Sequence, residues 1–517
     1  MSSSADVWGR AFVAALTAKQ SAALDRGAHA RGVAEPLLME NAGRSAALIL
    51  QSTHPEGRVV AAIGPGRNGG DALVVLRTLR AWGRDVAAHF VRDADAHQAL
   101  AHGFDIPRLD GDAFERAAAG AGVLVDGILG TGAHGAPRPD AAEVIRLLMG
   151  AGRPVVALDL PSGVDPDSGA VPGDAVRADV TVCFGAPKRG LLFQPGRSHC
   201  GRLMAVEIGF PPIETGEWDT RLITPAWAAA ALPVRDPAAH KGSAGMVLVV
   251  AGGRGMGGAA ILCVRGAIRA GAGLVYAMAD DSNREALHAA VPDAVFIDRD
   301  DAAALSAVAG KIDVIVAGMG MGTDERAAAA LELALETVDA RVPVLLDADA
   351  LTLLAAGGRL AEVAAARPTL LTPHAAEFAR VADVEIDSVR ADPVGRAREL
   401  AARLGCWVLL KGLPSIVVAA DGIVRINTVG SSDLAAAGMG DTLAGVIGAM
   451  MAAGSDPGDA AAIGLFYSSR AADLLDLGRA LSPTDLAEAL PRALGDAGRS
   501  APPPGLPFVT FDQPPRH

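Results

Sequence analysis

The stretch Gly438-Met439-Gly440-Asp441 sets two glycines around a carboxylate, and the apolar run Thr442-Leu443-Ala444-Gly445-Val446 follows at once. A helix that starts there points its first backbone N–H groups at whatever lies ahead of it, and glycines let a phosphate come close. Asp441 would then take a proton from a substrate hydroxyl. The competing reading is a glycine-rich helix start with an N-capping aspartate. Lys411 closes the run Val408-Leu409-Leu410, and His374 follows Leu370-Leu371. A lysine at a strand end, a glycine-lined helix N-terminus and an aspartate form a phosphoryl-transfer set, in which Lys411 and the amides around Gly440 offset phosphate charge. Lys411 alone would read as a surface lysine, and His374 alone as a structural histidine.

A second constellation lies in the first half. Gly64-Pro65-Gly66-Arg67-Asn68-Gly69-Gly70-Asp71 follows the apolar run ending at Ile63 and precedes Ala72-Leu73-Val74-Val75-Leu76. It satisfies the dinucleotide pattern Gly-x-Gly-x-x-Gly, and Asp93 stands about 20 positions on, so an NAD-dependent dehydrogenase competes. Against it, Asn68 and Asp71 add an amide oxygen and a carboxylate at the helix start, which suit a cation or a polar substrate. Two further apolar runs end in Asp126 and in Asp159, the latter followed by Leu160-Pro161-Ser162. In an open parallel sheet such ends face one crevice. Asn68, Asp126 and Ser162 could converge there as oxygen ligands for a hard cation, with Asp159 as acid or base. Each aspartate could instead cap the next helix. Gly253, Gly255 and Gly258 repeat the dinucleotide pattern in the second half, which shows how little that pattern decides.

The elements that must hold these residues are short β-branched runs alternating with alanine-rich helical stretches, the signature of a mainly parallel sheet covered by helices. The alternation occurs twice, through Val59–Ile63, Val123–Asp126, Val155–Asp159 and Val180–Phe184, then from Met246–Val250 through Val314–Val316, Val344–Asp347, Leu370–Leu371 and Val408–Leu410. Between the sets, Phe210 to about Arg221 carries Pro211-Pro212, Gly216 and several charges and reads as a linker. The chain is thus expected to form an α/β protein with domains over residues 1–221 and 222–500 and a loosely held, proline-rich tail over 501–517. A length of 517 residues favours two or more domains, and 50% hydrophobic with 20% charged residues fits a globular α/β enzyme. A formal charge of -13, without a Lys/Arg run, argues against nucleic acid or an anionic membrane as the main partner. Cys183, Cys200, Cys263 and Cys406 form no Cys-x-x-Cys, so neither a disulfide nor a zinc cluster is expected, and a reducing cytoplasm is. Asp6, Arg10 and Lys19 interrupt the N-terminus, so no signal peptide is expected, and no uninterrupted apolar span suits a membrane helix.

The strings MENAGRSAA (39–47), GPGRNGGDA (64–72), VDGILGTG (125–132), LDLPSGVDPDSG (158–169) and FGAPKRGL (184–191) resemble the NAD(P)H-hydrate epimerases. That resemblance implies a Rossmann-like three-layer αβα domain. It implies potassium on Asn68, Asp126 and Ser162, and Asp159 with Lys188 as the acid/base pair. The hydrated nucleotide would contact Arg67, Asn68, Gly69, Gly70, Asp71, Gly130, Thr131, Gly132, Ala133, His134, Gly135, Ala136 and Asp159. Where the family commonly has Asn and Gly, this chain has Arg67 and Ala72. In the second half HKGSAG, GGRGMGGAA, AGAGLV, GMGMG, DADAL, TPHAAEFAR, LLKG and AAGMGDTLAGV resemble the ADP/ATP-dependent NAD(P)H-hydrate dehydratases, of ribokinase-like αβα fold. Here the resemblance implies substrate contacts from Ala259, Gly322, His374 and Asp441. It also implies adenine-nucleotide contacts from Lys411, Gly412, Leu413, Pro414, Ser415 and Gly440, with magnesium and ADP or ATP as phosphoryl donor. Ser431-Ser432-Asp433, Ala375-Ala376 and Thr352 depart from the family pattern. The two resemblances together imply epimerisation of R and S hydrates and ADP-dependent dehydration of the S hydrate, with small molecules as partners and a homo-oligomer left open. The rivals are a ribokinase-like small-molecule kinase with a Rossmann-like regulatory domain, a dehydrogenase, and a nucleotide sensor without turnover.

Overall fold

A computed structural model describes residues 13–92, 95–211, 218–235, 238, 244–495 and 508–510. The dehydrogenase acid Asp93, the His240-Lys241-Gly242 entry, and Asp6 and Arg10 lie outside the described residues. The described residues divide into two compact units, one within 13–218 together with 508–510, the other within 219–495.

In the first unit the sheet runs in the order Phe508–Thr510, Arg202–Val206, Val180–Phe184, Val155–Leu158, Val123–Gly127, Val59–Ile63, Val86–Phe90, Arg108–Leu109. All neighbours are parallel except the first pair, where Phe508–Thr510 adds an antiparallel edge to Arg202–Val206. Part of the expected loose tail is therefore an edge strand, a place where proline-flanked segments are tolerated. The central strands read as continuous apolar runs because both faces are covered. Val59, Ala61 and Ile63 join one core with Ala46, Ile49 and Leu50 of the Glu35–Thr53 helix, whereas Val60 and Ala62 join another with Phe114, Val144 and Leu148. This alternation is the pleat turning successive side chains to opposite helical layers.

The second unit starts at Asp219, inside the segment expected as linker, because Thr220 and Arg221 pair in parallel with Val424 and Arg425. Its strands follow the order Thr220–Ile223, Val424–Asn427, Ile416–Val418, Trp407–Leu410, Thr369–Leu371, Val344–Leu346, Val314–Ala317, Met246–Val250, Leu274–Ala279, Val295–Asp298. The sheet is parallel apart from the antiparallel pairings of Ile416–Val418 with both its neighbours. Two helices, Gly257–Arg269 and Met439–Ala452, cross in close contact on it. A Cβ at Gly445 would stand 1.9 Å from the Cys263 carbonyl oxygen, and one at Gly266 would stand 2.4 Å from that of Thr442. Glycine at both positions is what brings the Asp441-bearing helix down onto its neighbour.

All four cysteines are buried free thiols. Among the described residues no helix is long and apolar enough to cross a membrane, and no group of three or more His, Cys, Asp or Glu is arranged to hold a metal.

Candidate active sites

Asp159 leaves the Val155–Leu158 strand with φ of 65°, a conformation that costs a non-glycine residue energy and collects at functional sites. Its backbone N–H donates to Val182 at 2.7 Å. One carboxylate oxygen accepts a short hydrogen bond from the Lys188 ammonium, and the other accepts one from the Thr131 hydroxyl. Lys188 is 1% exposed and also donates to the carbonyls of Ala186 and Phe184 at 3.3 and 3.4 Å. Burial pushes the Asp159 carboxyl up, but the Lys188 charge, with hydrogen bonds from Lys188 and Thr131, holds it below its ordinary range. Burial lowers the Lys188 ammonium and Asp159 more than restores it. Asp159 is thus held as the carboxylate and Lys188 as the ammonium, side by side.

They face a cavity of about 770 Å³ that Arg67, Asn68, Asp71, Thr131 and His134 also line. Asn68 sits in the first turn of the Arg67–Ala81 helix, whose N-cap Gly66 provides no side-chain cap. The loop is fixed by close approaches, since a Cβ at Gly64 would stand 1.8 Å from the Ile128 carbonyl oxygen and one at Gly69 would stand 1.9 Å from that of Gly64. The Asn68 amide nitrogen donates to the carbonyls of Leu129 and Leu158 at 2.7 and 3.0 Å. Two carbonyl partners fix which end of the amide is nitrogen. The Asn68 Oδ1 is then a buried acceptor without a hydrogen-bond partner. Asp126, wholly buried, accepts from the Ser162 hydroxyl at 2.6 Å, the Ser162 N–H at 2.8 Å and the Ile128 N–H at 3.2 Å. Burial pushes its carboxyl up to about 6 against those hydrogen bonds. An orphaned amide oxygen, a buried carboxylate and a hydroxyl are the oxygen donors that suit a hard cation. Neither Asp126 nor Asp159 caps a helix.

In the second unit, the Met439–Ala452 helix begins at Gly438, with φ of 87° and no side-chain cap. Asp441 lies inside the first turn and is not the N-cap, which removes the capping alternative; Met439 N–H donates to Ala436 at 3.3 Å, so the N–H groups of Gly440 and Asp441 are the ones that face a ligand. A Cβ on Gly440 would stand 3.5 Å from the Lys411 Nζ. Lys411 donates to Asp347 Oδ1 at 2.7 Å, and its backbone N–H donates to Pro373 at 2.9 Å. Asp349 accepts from the Gly322 N–H at 2.9 Å. Burial, then the like charge of Asp347, push Asp441 up to about 6; Lys411 opposes this and Asp349 adds to it. A carboxyl poised there suits a general base near neutral pH. His374 is brought beside Lys411 by a parallel bridge. It also N-caps the Ala375–Ala382 helix, its Nδ1 accepting from Ala376 and Glu377 at 3.2 and 3.3 Å. Glu377, kept where the family pattern has it, returns the bond to the His374 N–H at 2.9 Å.

Two family models match the chain, one described as YjeF-related protein N-terminus over residues 35–190, the other as NAD(P)H-hydrate dehydratase over 247–492. The bifunctional NAD(P)H-hydrate repair enzyme Nnr of Gloeobacter violaceus is 38% identical over 89% of this chain and 92% of its own length. The chain belongs to the family of bifunctional NAD(P)H-hydrate repair enzymes. The Mycobacterium tuberculosis relative of the same name is 39% identical over 78% of this chain and 80% of that one. A ribokinase-like superfamily protein from Enterococcus faecalis V583 is 26% identical, with a TM-score of 0.50 over 56% of this chain and 100% of that chain. The second half of this family member thus has the ribokinase-like fold.

Not every residue singled out by the family pattern reaches the first cavity. Gly130, Thr131, Gly132, Ala133 and His134 line it, whereas Gly69, Gly70, Gly135 and Ala136 do not. Gly70 backs onto Met39, and Ala136 onto Gly173. In the second unit, Ala259 packs against Gly320, Gly322 takes φ of 87°, and Ser415 closes the 412–415 turn through hydrogen bonds of 3.2 and 2.9 Å with Gly412. Leu413 and the cis peptide before Pro414 complete that turn, with Leu413 exposed. The departure at Ser431 to Asp433 forms a short turn in which the Ser431 hydroxyl donates to Asp433 at 2.8 Å. Sequence reasoning missed Asp25, which lines the first cavity from the Ala18–Ala30 helix, and the roles of Asp347 and Asp349 around Asp441. Asp347 and Asp349 could have been found from their place after a strand. Asp25 stands in no motif.

Proposed function

We propose that the first unit epimerises hydrated NADH and NADPH and that the second dehydrates the S hydrate at the expense of ADP, releasing AMP and phosphate. What supports the reading is that one chain of this family carries two separately built proton-transfer sites. At the first, the Lys188 ammonium gives a proton to the ring hydroxyl as it departs as water. Asp159 takes a proton from the water that returns to the opposite ring face. Potassium held by Asn68, Asp126 and Ser162 would supply fixed positive charge near the anionic nucleotide.

At the second, hydroxide is a poor leaving group, and its conversion to a phosphate ester solves that problem. Asp441 takes the proton of the ring hydroxyl as the hydroxyl oxygen attacks the terminal phosphoryl group of ADP, and AMP leaves with the electrons of the broken P–O bond. The N–H groups of the first helical turn and Lys411 stabilise the charge on that group. Phosphate then departs with the bonding electrons while the neighbouring ring carbon gives up a proton to water, and the ring double bond returns. Magnesium bound to the nucleotide would neutralise its phosphates.

The test is recovery of nicotinamide absorbance from mixed NADH hydrates with purified protein, ADP and magnesium. Full recovery from both epimers is expected, whereas no recovery from either would sink the repair reading.

A further inference from the structure

The first cavity is acidic, yet the ligand it is assigned is an anion. Five of its described lining residues are acids, against Lys19, Arg67 and Lys188. Lys188 is committed to Asp159, and Lys19 is exposed at the rim. Arg67 is the only arginine among the described lining residues. It occupies the first position of the Arg67–Ala81 helix, so its side chain adds a full charge to the partial charge of that helix start. Just ahead, a Cβ at Gly66 would meet nothing within 4 Å, so the space in front of the helix is open.

Arg67 Nη1 stands 2.8 Å from Asp25 Oδ2. The arginine side chain is 56% exposed and the aspartate 26%. An ion pair this open is weak and exchanges readily. A planar guanidinium accepts a phosphate in the same two-pronged way as a carboxylate. Burial pushes the Asp25 carboxyl above its ordinary range, with the Arg67 charge offsetting only part of the rise. Asp25 is thus a poorly solvated carboxylate that can give up its partner and take a proton.

We propose that Arg67 is the phosphate-recognising residue of this cavity, and that Asp25 holds its side chain in place until a nucleotide phosphate displaces the carboxylate. The inference rests on the epimerase reading and makes Arg67 a specificity determinant of this chain. The phosphate is either the pyrophosphate common to both hydrates or the additional phosphate of hydrated NADPH.

Epimerisation of each hydrate is followed with ADP omitted, so that the second unit is silent. Arg67→Gln should raise KM by about tenfold, the loss of one charge-assisted contact, with a smaller effect on kcat. Arg67→Lys should recover part of it. Asp25→Asn should move KM the other way, because it removes the competing anion. A rise equal for both hydrates assigns the contact to the pyrophosphate, and a rise confined to hydrated NADPH assigns it to the additional phosphate. A pair that merely braces the fold would make Arg67→Gln and Asp25→Asn raise KM together; that result, or an unchanged KM in Arg67→Gln, overturns the proposal. Absence of epimerisation by the unmodified protein would overturn the epimerase reading with it, whereas an active protein indifferent to Arg67→Gln would leave that reading standing.

Discussion

At the scale of single residues, the two sites tune carboxylates in opposite directions with the same ingredients. Asp159 and Asp441 both lose water, but Lys188 is buried against Asp159, whereas Asp441 has Asp347 and Asp349 nearby and only a shared claim on Lys411. Asp441, held at about 6, is a base only in its ionised form. The kcat/KM for dehydration of the S hydrate should therefore rise as pH climbs through about 6 and level off above it. Asp349→Asn removes a like charge while keeping an acceptor for the Gly322 N–H, so it should move the inflection to lower pH. A pH series on both proteins checks this, and an inflection that stays put in the variant would show that Asp349 does not act on the base. The place of Asp441 in the first turn of a helix was legible in the sequence, because glycines and a carboxylate ahead of an apolar run mark a helix start. Asp25 was not, because its partner Arg67 lies on another helix and only the fold brings them together.

At the scale of elements, glycine carries two different meanings that the pattern Gly-x-Gly-x-x-Gly cannot separate. Gly66 leaves the space in front of a helix open, while Gly266 and Gly445 let two helices touch. Strands bounded by glycine or aspartate, such as Val59–Ile63 and Met246–Val250, were legible because burial on both faces makes them uniformly apolar. Val424–Asn427, with Arg425 in its middle, and the three-residue Ile416–Val418 beside it were not, because both runs are short, although Asp421-Gly422 between them is a hairpin turn signal. The helix contact gives a prediction. Gly445→Ala puts its new methyl into the Cys263 carbonyl, so the Met439–Ala452 helix must shift, at a cost of about 1–3 kcal/mol. Dehydration should fall with stability while epimerisation is spared. Gly27→Ala, inside the Ala18–Ala30 helix and 3.5 Å from only the flexible end of Arg31, should instead stabilise by about 0.5–1 kcal/mol. Thermal unfolding of both variants decides it, and equal losses would mean that the helix crossing is not the constraint.

At the scale of the whole molecule, each unit has its own buried core, and Asp159 in the first and Lys411 in the second each follow a strand. Within the first unit, Asp159 has its hydrogen-bond partners Lys188 and Thr131, and within the second, Asp441 has its charged neighbours. Variants should then separate the two reactions cleanly. Asp441→Ala should stop all recovery of nicotinamide absorbance, and Asp159→Ala should still repair the S hydrate while leaving the R hydrate behind. If the product of the first site is released to solution, the two inactive halves need not share a chain. An equimolar mixture of Asp159→Ala and Asp441→Ala should repair the R hydrate faster than Asp159→Ala alone, because Asp441→Ala supplies S hydrate that Asp159→Ala consumes. The rate should grow with the concentration of either variant, as expected of a small molecule that diffuses between proteins. A mixture no faster than Asp159→Ala alone, with each variant active in its own reaction, would require the hydrate to pass between sites of the same molecule.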